Sequence, residues 1–157
     1  MEIIIGGAGF IGANLVEFLL NKKKKVSVVD DFSLGSYENL KSFMNCDIYE
    51  VDATNYDSLD TAFQNILSDQ APDNVTVWHL AANSDIQAGV ADYSVDLNKT
   101  FLTTSTLLSV MEKHMIGKLN FASTSAIYGD QGFNAISENC GDLQPLSCYG
   151  AMKLASE

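Results

Sequence analysis

Ile3-Ile4-Ile5-Gly6-Gly7-Ala8-Gly9-Phe10-Ile11-Gly12 decides the fold of this 157-residue chain. Three β-branched residues make a short apolar strand, glycines stop it, and an apolar-periodic run starts at once from Phe10. Two registers of a phosphate-cradling loop fit: Gly7, Gly9 and Gly12 as G-x-G-x-x-G, or Gly6, Gly9 and Gly12 as G-x-x-G-x-x-G. One glycine makes the tight turn, one lets the backbone approach a pyrophosphate, and one lets the helix pack closely on the strand. The phosphates would sit on unpaired N–H groups at the positive end of the helix. Glycine-rich turns also merely connect elements. Placement between a strand and a helix, with acids downstream, is what points to a dinucleotide.

Length suits one domain with a sizeable core. Apolar content of 46% and charged content of 18% are those of a folded globular chain. No apolar run reaches the roughly 18 residues of a membrane span, and the N-terminus shows no signal-peptide pattern. Cys46, Cys140 and Cys148 form no C-x-x-C pair, so reduced thiols in a cytoplasmic setting are expected. His79 and His114 are the only histidines, and no metal site is expected. Net charge is −11, with nine lysines and no arginine. Such a surface repels nucleic acid, but a helix N-terminus can still bind an anionic cofactor. No side chain here can fork onto a diphosphate.

Outward from the glycine loop, Ile11, Leu15, Phe18 and Leu19 recur at helical spacing and predict a helix over 10–21. The lysines at 22–25 read as a solvated turn that complements its dipole. Strand two runs from Lys25 to Val29 and closes on Asp30-Asp31. Asp30 stands 18 residues past Gly12, close to the ~20 at which a carboxylate reaches the adenosine ribose. It would repel a 2′-phosphate, which favours NAD over NADP; the alternative is an Asp that caps the next turn. Phe32 to Met44 reads as a loop with a short helix, and Cys46 to Val51 as strand three, ending at Asp52. Leu59, Ala62, Phe63, Ile66 and Leu67 mark an amphipathic helix capped by Thr54 or Asn55. Asp69 to Asn74 is a loop. Val75 to Leu80 is strand four, opening onto Ala81-Ala82-Asn83. A long helix is expected over 92–115, buried along Val95, Phe101, Leu102, Leu108 and Met111. Lys118 to Ala122 is strand five, residues 129–146 are loop, and a last helix starts from Ser147. This alternation predicts an α/β fold, a doubly wound Rossmann-like parallel sheet with helices on both faces. Gly6–Gly12, Asp30, Ala81-Ala82 and Thr124 all follow strand ends, the edge where such sheets bind ligands.

Tyr149 and Lys153 lie four apart on the last helix, hence on one face. A phenol of pKa near 10 is a poor base at neutral pH. A neighbouring ammonium and an oxidised nicotinamide would favour its phenolate, which can take a proton as hydride leaves carbon. By itself the pair is an ordinary surface spacing. Together with GGAGFIG, the VVDD strand end, HLAA at 79–82, and Ser123-Thr124 before Ile127-Tyr128-Gly129, it closely resembles the NAD-dependent epimerase/dehydratase family. These are extended short-chain dehydrogenases acting on nucleotide sugars, and the resemblance spans all 157 residues.

The resemblance implies that Thr124, Tyr149 and Lys153 are catalytic. Thr124 would hydrogen-bond the reacting sugar hydroxyl and Tyr149 would be the acid/base. Lys153 would hold the nicotinamide ribose and tune Tyr149. Gly6, Gly9 and Gly12 would carry the NAD diphosphate and Asp30 the adenosine ribose. Asp52 with Ala53 would border the adenine, and Ala81 and Ala82 would allow close backbone approach. Phe10, Ile11, Asp31 and Leu80 are further cofactor-binding positions, with Tyr149 and Lys153 facing the nicotinamide. Departures from the family pattern are Ile5 for a threonine, Thr100 for an asparagine in the long helix, and Cys148 for a proline. Ser125-Ala126 stands where the family's dehydratases carry an Asp-Glu pair, so dehydration lacks its acid and base.

A nucleotide-sugar epimerase is expected, working at C4 through a 4-keto intermediate with no net turnover of cofactor. The alternatives are a reductase, dehydratase or decarboxylating dehydrogenase of the same family, or a non-catalytic nucleotide-binding fragment. Expected strand order is 3-2-1-4-5, with 1–157 forming an NAD-binding Rossmann domain truncated before the remaining strands and the substrate lobe. Strand five would then be a sheet edge that favours self-association, to a homodimer. Ser147 to Glu157 would be mobile or held by a partner chain.

Overall fold

The computed structural model describes residues 1–43, 45–133, 135–141 and 143–157. Met44, which closes the expected 32–44 loop, and positions 134 and 142 of the expected 129–146 loop lie outside them. In chain order the elements are β1 (Glu2–Ile5), α1 (Phe10–Asn21), β2 (Val26–Asp30), β3 (Cys46–Glu50), α2 (Tyr56–Ile66) and β4 (Thr76–His79). There follow α3 (Ile86–Ala91), α4 (Tyr93–Asp96), α5 (Thr103–Lys113), β5 (Leu119–Phe121) and α6 (Cys148–Ser156). Short 3-10 turns form at Tyr37–Asn39, Pro72–Asn74 and Ser125–Tyr128, and a π-helical segment spans Leu97–Leu102. All strand pairings are parallel, in the expected order β3-β2-β1-β4-β5. The chain gathers into two compact units, Met1–Ala81 with Thr103–Ala122, and Ala82–Leu102 with Ser123–Glu157.

The first unit is the sheet with its helices. β1 is central and fully buried, and its alternation divides the core between the two faces. Ile3 and Ile5 join Leu59, Phe63 and Ile66 of α2 and Leu107, Val110 and Met111 of α5. Ile4 joins Val26 and Val28 of β2 with Ala13, Val16 and Leu19 of α1. Each of the larger side chains among them, fully buried, stabilises by about 1.5–3 kcal/mol. Asn55 is the cap of α2, its side chain accepting from Ser58 N at 3.0 Å. The buried Glu2 accepts from Trp78 Nε1 at 2.9 Å and pairs with Lys24 at 3.4 Å. His79 is a core residue, with Nε2 2.9 Å from Thr104 Oγ1 and its ring against Phe121.

Two helix faces differ from the sequence reading. In α1 the buried residues are Gly12, Ala13, Val16 and Leu19, whereas Ile11 and Phe18 are exposed. Small residues let this helix come close to the sheet, which turns its larger apolar groups outward. Over 92–115, α4, the π segment and α5 replace one regular helix, and α3 precedes them. The buried positions are Asp96, Thr100, Thr103, Thr104, Leu107, Val110 and Met111, one helical stripe that begins on polar residues, and Leu108 is exposed.

The second unit is small, and its helix starts are held by side chains. Asp85 accepts from Ala88 N at 3.0 Å to cap α3, and Asp92 accepts from Ser94 N at 2.9 Å to cap α4. Ser147 accepts from Gly150 N at 3.0 Å to start α6. α6 packs on the π segment and on the Ser125–Tyr128 turn.

In the first unit Asp60 joins α2 to α5. Its carboxylate accepts from Lys113 Nζ at 2.8 Å and from Gln64 Nε2 at 2.6 Å, and lies 2.9 Å from His114 Nε2. Chiefly through Lys113, these partners hold the carboxyl below its ordinary range. A depressed acid contributes stability that is present above its unfolded pKa and lost as pH falls through its folded one. Asp60→Asn should therefore lower the unfolding midpoint at pH 7, with the gap to the parent chain closing below about pH 4. Urea melts across that range check it; a gap independent of pH would contradict the ionic role.

Candidate functional site

The glycine loop leaves β1 under tight steric control. Gly6 has φ of +80°, and a Cβ there would lie 2.6 Å from Ala81 N. Its N–H donates to Val29 O at 2.8 Å. A Cβ on Gly12 would lie 2.4 Å from Gly6 O and 2.6 Å from Gly7 Cα, so α1 rests directly on the loop backbone. Ala8 is held from both ends. Its N–H donates to Asp30 Oδ2 at 2.8 Å, and its carbonyl accepts from Asn39 Nδ2 at 2.8 Å and Ser36 N at 3.2 Å.

Past this point α1 begins without protection. Gly9 is its N-cap, no side chain caps it, and no acid sits in its first turn. α2, α3, α4 and α6 are all capped by side chains. Bare N–H groups and the positive dipole end make this start suited to an anion. Phe10 and Ile11, in the first turn, are 83% and 69% exposed.

Asp30 closes β2, is 8% exposed, and also accepts from Phe32 N at 2.9 Å through Oδ1. It thus caps its own turn and fixes the glycine loop; its carboxylate still has acceptor capacity for a hydroxyl. Asp31 is exposed and accepts from Ser33 N and Oγ at 2.9 and 2.7 Å. Asp52 is exposed and accepts from Thr54 N and Oγ1, both at 2.8 Å, while the Ala53 methyl packs in the core. After β4, Leu80 N and Ala81 N both donate to Ile5 O, at 2.8 and 3.0 Å. Gly6, Gly9, Phe10, Ile11, Gly12, Asp30, Asp31, Asp52, Ala53, Leu80 and Ala81 all belong to the first unit.

Ala82, Thr124, Tyr149 and Lys153 belong to the second. Thr124 caps the Ser125–Tyr128 turn, accepting from Ala126 N at 3.2 Å. Gly150 lets α6 close onto that turn, since a Cβ there would sit 2.8 Å from Ala126 O. The closeness brings Tyr149 into hydrogen-bond contact with the Thr124 hydroxyl. Burial raises the Tyr149 phenol above its ordinary value of 10.0, the Thr124 hydrogen bond lowers it, and the Asp96 charge raises it further. Lys153 lies one turn on, 2% exposed, and burial pulls its ammonium down to about 8. Within the chain itself, burial and the Asp96 charge disfavour the phenolate.

Several residues of this region escape a reading of the sequence. Asn39 and Ser36 grip Ala8 from a loop whose composition signals only a turn. Asn83, buried, donates its N–H to Thr100 Oγ1 at 3.1 Å and its side-chain amide to Asp96 Oδ1 at 2.7 Å. A signal for these existed: the helical period of the 96–111 stretch runs through Asp96, Thr100, Thr103 and Thr104, polar residues on what must be an inner face. Among the described residues, no group of three or more His, Cys, Asp or Glu could hold a metal ion, and no helix is long and apolar enough to cross a membrane.

Comparison with known proteins gives the same picture. A family model described as the NAD dependent epimerase/dehydratase family matches residues 3–157. The UDP-glucose 4-epimerase of Halalkalibacterium halodurans is 33% identical over 155 residues, covering 99% of this chain and 43% of that protein. The UDP-glucuronate 4-epimerase of Thermodesulfobacterium geofontis is 32% identical over 164 residues, covering 99% of this chain and 48% of the relative. The crystal structure of a Thermus thermophilus UDP-glucose 4-epimerase, a complex with NAD, superposes with a TM-score of 0.88 at 31% identity. It covers 99% of this chain and 48% of the solved one. The chain therefore spans under half the length of the curated relatives it matches. By the family model over nearly its whole length and by these relatives, the chain belongs to the NAD-dependent epimerase/dehydratase family.

Proposed function

We propose that the protein carrying this chain is an NAD-dependent nucleotide-sugar epimerase that inverts C4 through a 4-keto intermediate. The observation that carries the reading is the Thr124–Tyr149 hydrogen bond one turn from the buried Lys153, in a chain whose α1 begins bare. The residues fit NAD. The first N–H groups of α1 take the diphosphate, and Asp30 has acceptor sites left for the adenosine ribose. When bound, NAD supplies the hydride acceptor and a positive charge. Tyr149 takes the proton of the sugar 4-hydroxyl on oxidation and returns one on reduction. Thr124 orients that hydroxyl, and the Lys153 ammonium holds the nicotinamide ribose. Dehydration is disfavoured because Ser125 and Ala126, beside Thr124, bear no ionisable group. Relatives named for UDP-glucose and UDP-glucuronate support a uridine diphosphate sugar as the substrate.

The chain should bind NAD(H) more tightly than NADP(H) in calorimetric titration. Asp30→Ala should weaken NAD(H) about tenfold or more, the scale of a charged hydrogen bond. Because Asp30 also holds Ala8, the ratio of the two affinities is the telling quantity. A loop merely disordered weakens both cofactors alike, whereas loss of the carboxylate narrows the preference. An unchanged ratio would contradict ribose recognition by Asp30.

In the active protein, Tyr149→Phe should cut turnover of UDP-glucose by about 10² to 10⁴ and leave NAD bound. Turnover within a few-fold of the parent would assign the base to another residue.

A further inference from the structure

Between β2 and the Tyr37–Asn39 turn the chain is held by a closed ring of contacts to which the proposed reaction assigns no part. Phe32 has φ of +55°, in the left-handed region that a bulky residue seldom enters. Its N–H donates to Asp30 Oδ1 at 2.9 Å. Its ring lies flat on that of Tyr37, with centroids 3.7 Å apart and planes 7° from parallel. The Tyr37 hydroxyl donates to Glu50 Oε2 at 2.7 Å. Glu50 ends β3 and is the register partner of Asp30, and Val51 N donates to Asp30 O at 3.0 Å. The ring of contacts thus starts and ends on Asp30. Tyr37 is 50% exposed, so burial of its own surface does not account for its place.

We propose that Tyr37 is a positioning residue for the adenosine end of the cofactor site: stacked on Phe32 and anchored to Glu50, it holds the 31–39 segment closed on Ala8 and fixes the Asp30 carboxylate. This rests on Asp30 and the glycine loop being the cofactor's seat. A left-handed Phe persists only where its surroundings over-determine it. Two groups do so here, the Asp30 carboxylate and the Tyr37 ring, and without the ring the carboxylate alone opposes relaxation of Phe32. Asp30 Oδ2 is the oxygen that receives Ala8 N at 2.8 Å, so a carboxylate released by Phe32 loosens the glycine loop as well. The rest of the segment lies against the same residue. Ser36 N and Asn39 Nδ2 donate to Ala8 O, and a Cβ on Gly35 would lie 2.8 Å from Ala8 Cβ. The functional consequence is pre-organisation: apparent affinity scales with the fraction of molecules whose segment is closed, and Tyr37 keeps that fraction high without touching the ligand.

Amide hydrogen exchange of the ¹⁵N-labelled chain, paired with calorimetric titration of NAD, tests this in Tyr37→Ala and Tyr37→Phe. Without cofactor, the Ala8 and Phe32 amides of Tyr37→Ala should exchange about tenfold faster than in the parent. Those of Phe63 and Ile66 in α2 should keep their parent rates. NAD should bind Tyr37→Ala about threefold to tenfold more weakly. Tyr37→Phe keeps the stack and loses the anchor, so it should fall between the two. Parent exchange rates at Ala8 and Phe32 in Tyr37→Ala would overturn the proposal. Weaker NAD binding with exchange unchanged would overturn it too, because the ring would then touch the cofactor itself. Equal acceleration at Phe63 and Ile66 would make Tyr37 a general stabiliser and overturn it likewise. NAD affinity kept in Tyr37→Ala but lost in Asp30→Ala removes the role of Tyr37 alone, whereas affinity kept in both removes the reading of this edge as the cofactor's.

Discussion

Contact between α1 and the glycine loop is the constraint from which the geometry at the end of β1 follows. Gly12 allows the helix to sit on Gly6 O and Gly7 Cα at distances no side chain tolerates. The helix start is thereby brought to the end of β1, where its unpaired N–H groups face outward in place of a capping side chain. Asp30, Asn39 and Ser36 then converge on Ala8 and immobilise the loop from β2 and the segment after it. A loop held so needs little rearrangement to receive a diphosphate, and pre-organisation of this kind limits the entropy lost on binding. The lack of arginine is no obstacle, because peptide groups and the helix dipole supply the positive potential.

The second half rests on a different device. Gly150 draws α6 onto the turn capped by Thr124, and this closeness alone makes Thr124 and Tyr149 partners across 25 residues of sequence. The polar surroundings of α6 then act against its phenolate. Burial and Asp96 favour the proton, and only Thr124 favours its loss.

Much of this was legible from the residues because the strongest signals were local. The isoleucine run, the VVDD strand end and the 59–67 periodicity each depend on neighbours a few positions apart, and the strand order follows from their alternation with helices. Where the reading went astray, non-local packing decided. Ile11 and Phe18 have the right spacing for a buried face, but Gly12 and Ala13 let the sheet approach along another. Along 96–111 the buried stripe begins on Asp96, Thr100, Thr103 and Thr104, polar residues that an apolar pattern passes over, while Leu108 is exposed. Asn83 and Asp96 carry no motif; their roles exist only once α4 lies beside the segment at 83–85. Of the two readings of Asp30, the turn cap is seen in its bond to Phe32 N, and its other oxygen holds the glycine loop through Ala8 N, a role that no motif announces.

The central claim is that the bare start of α1 is where the chain meets its dinucleotide. Amide chemical-shift mapping of the ¹⁵N-labelled chain during titration with NAD tests it most directly. The account predicts the largest shifts at Gly9, Phe10, Ile11 and Gly12, with Ala8 and Phe32 following through Asp30 and the amides of Asp60 and Gln64 unmoved. Saturable shifts centred on other residues, with Gly9 to Gly12 unchanged, would contradict it.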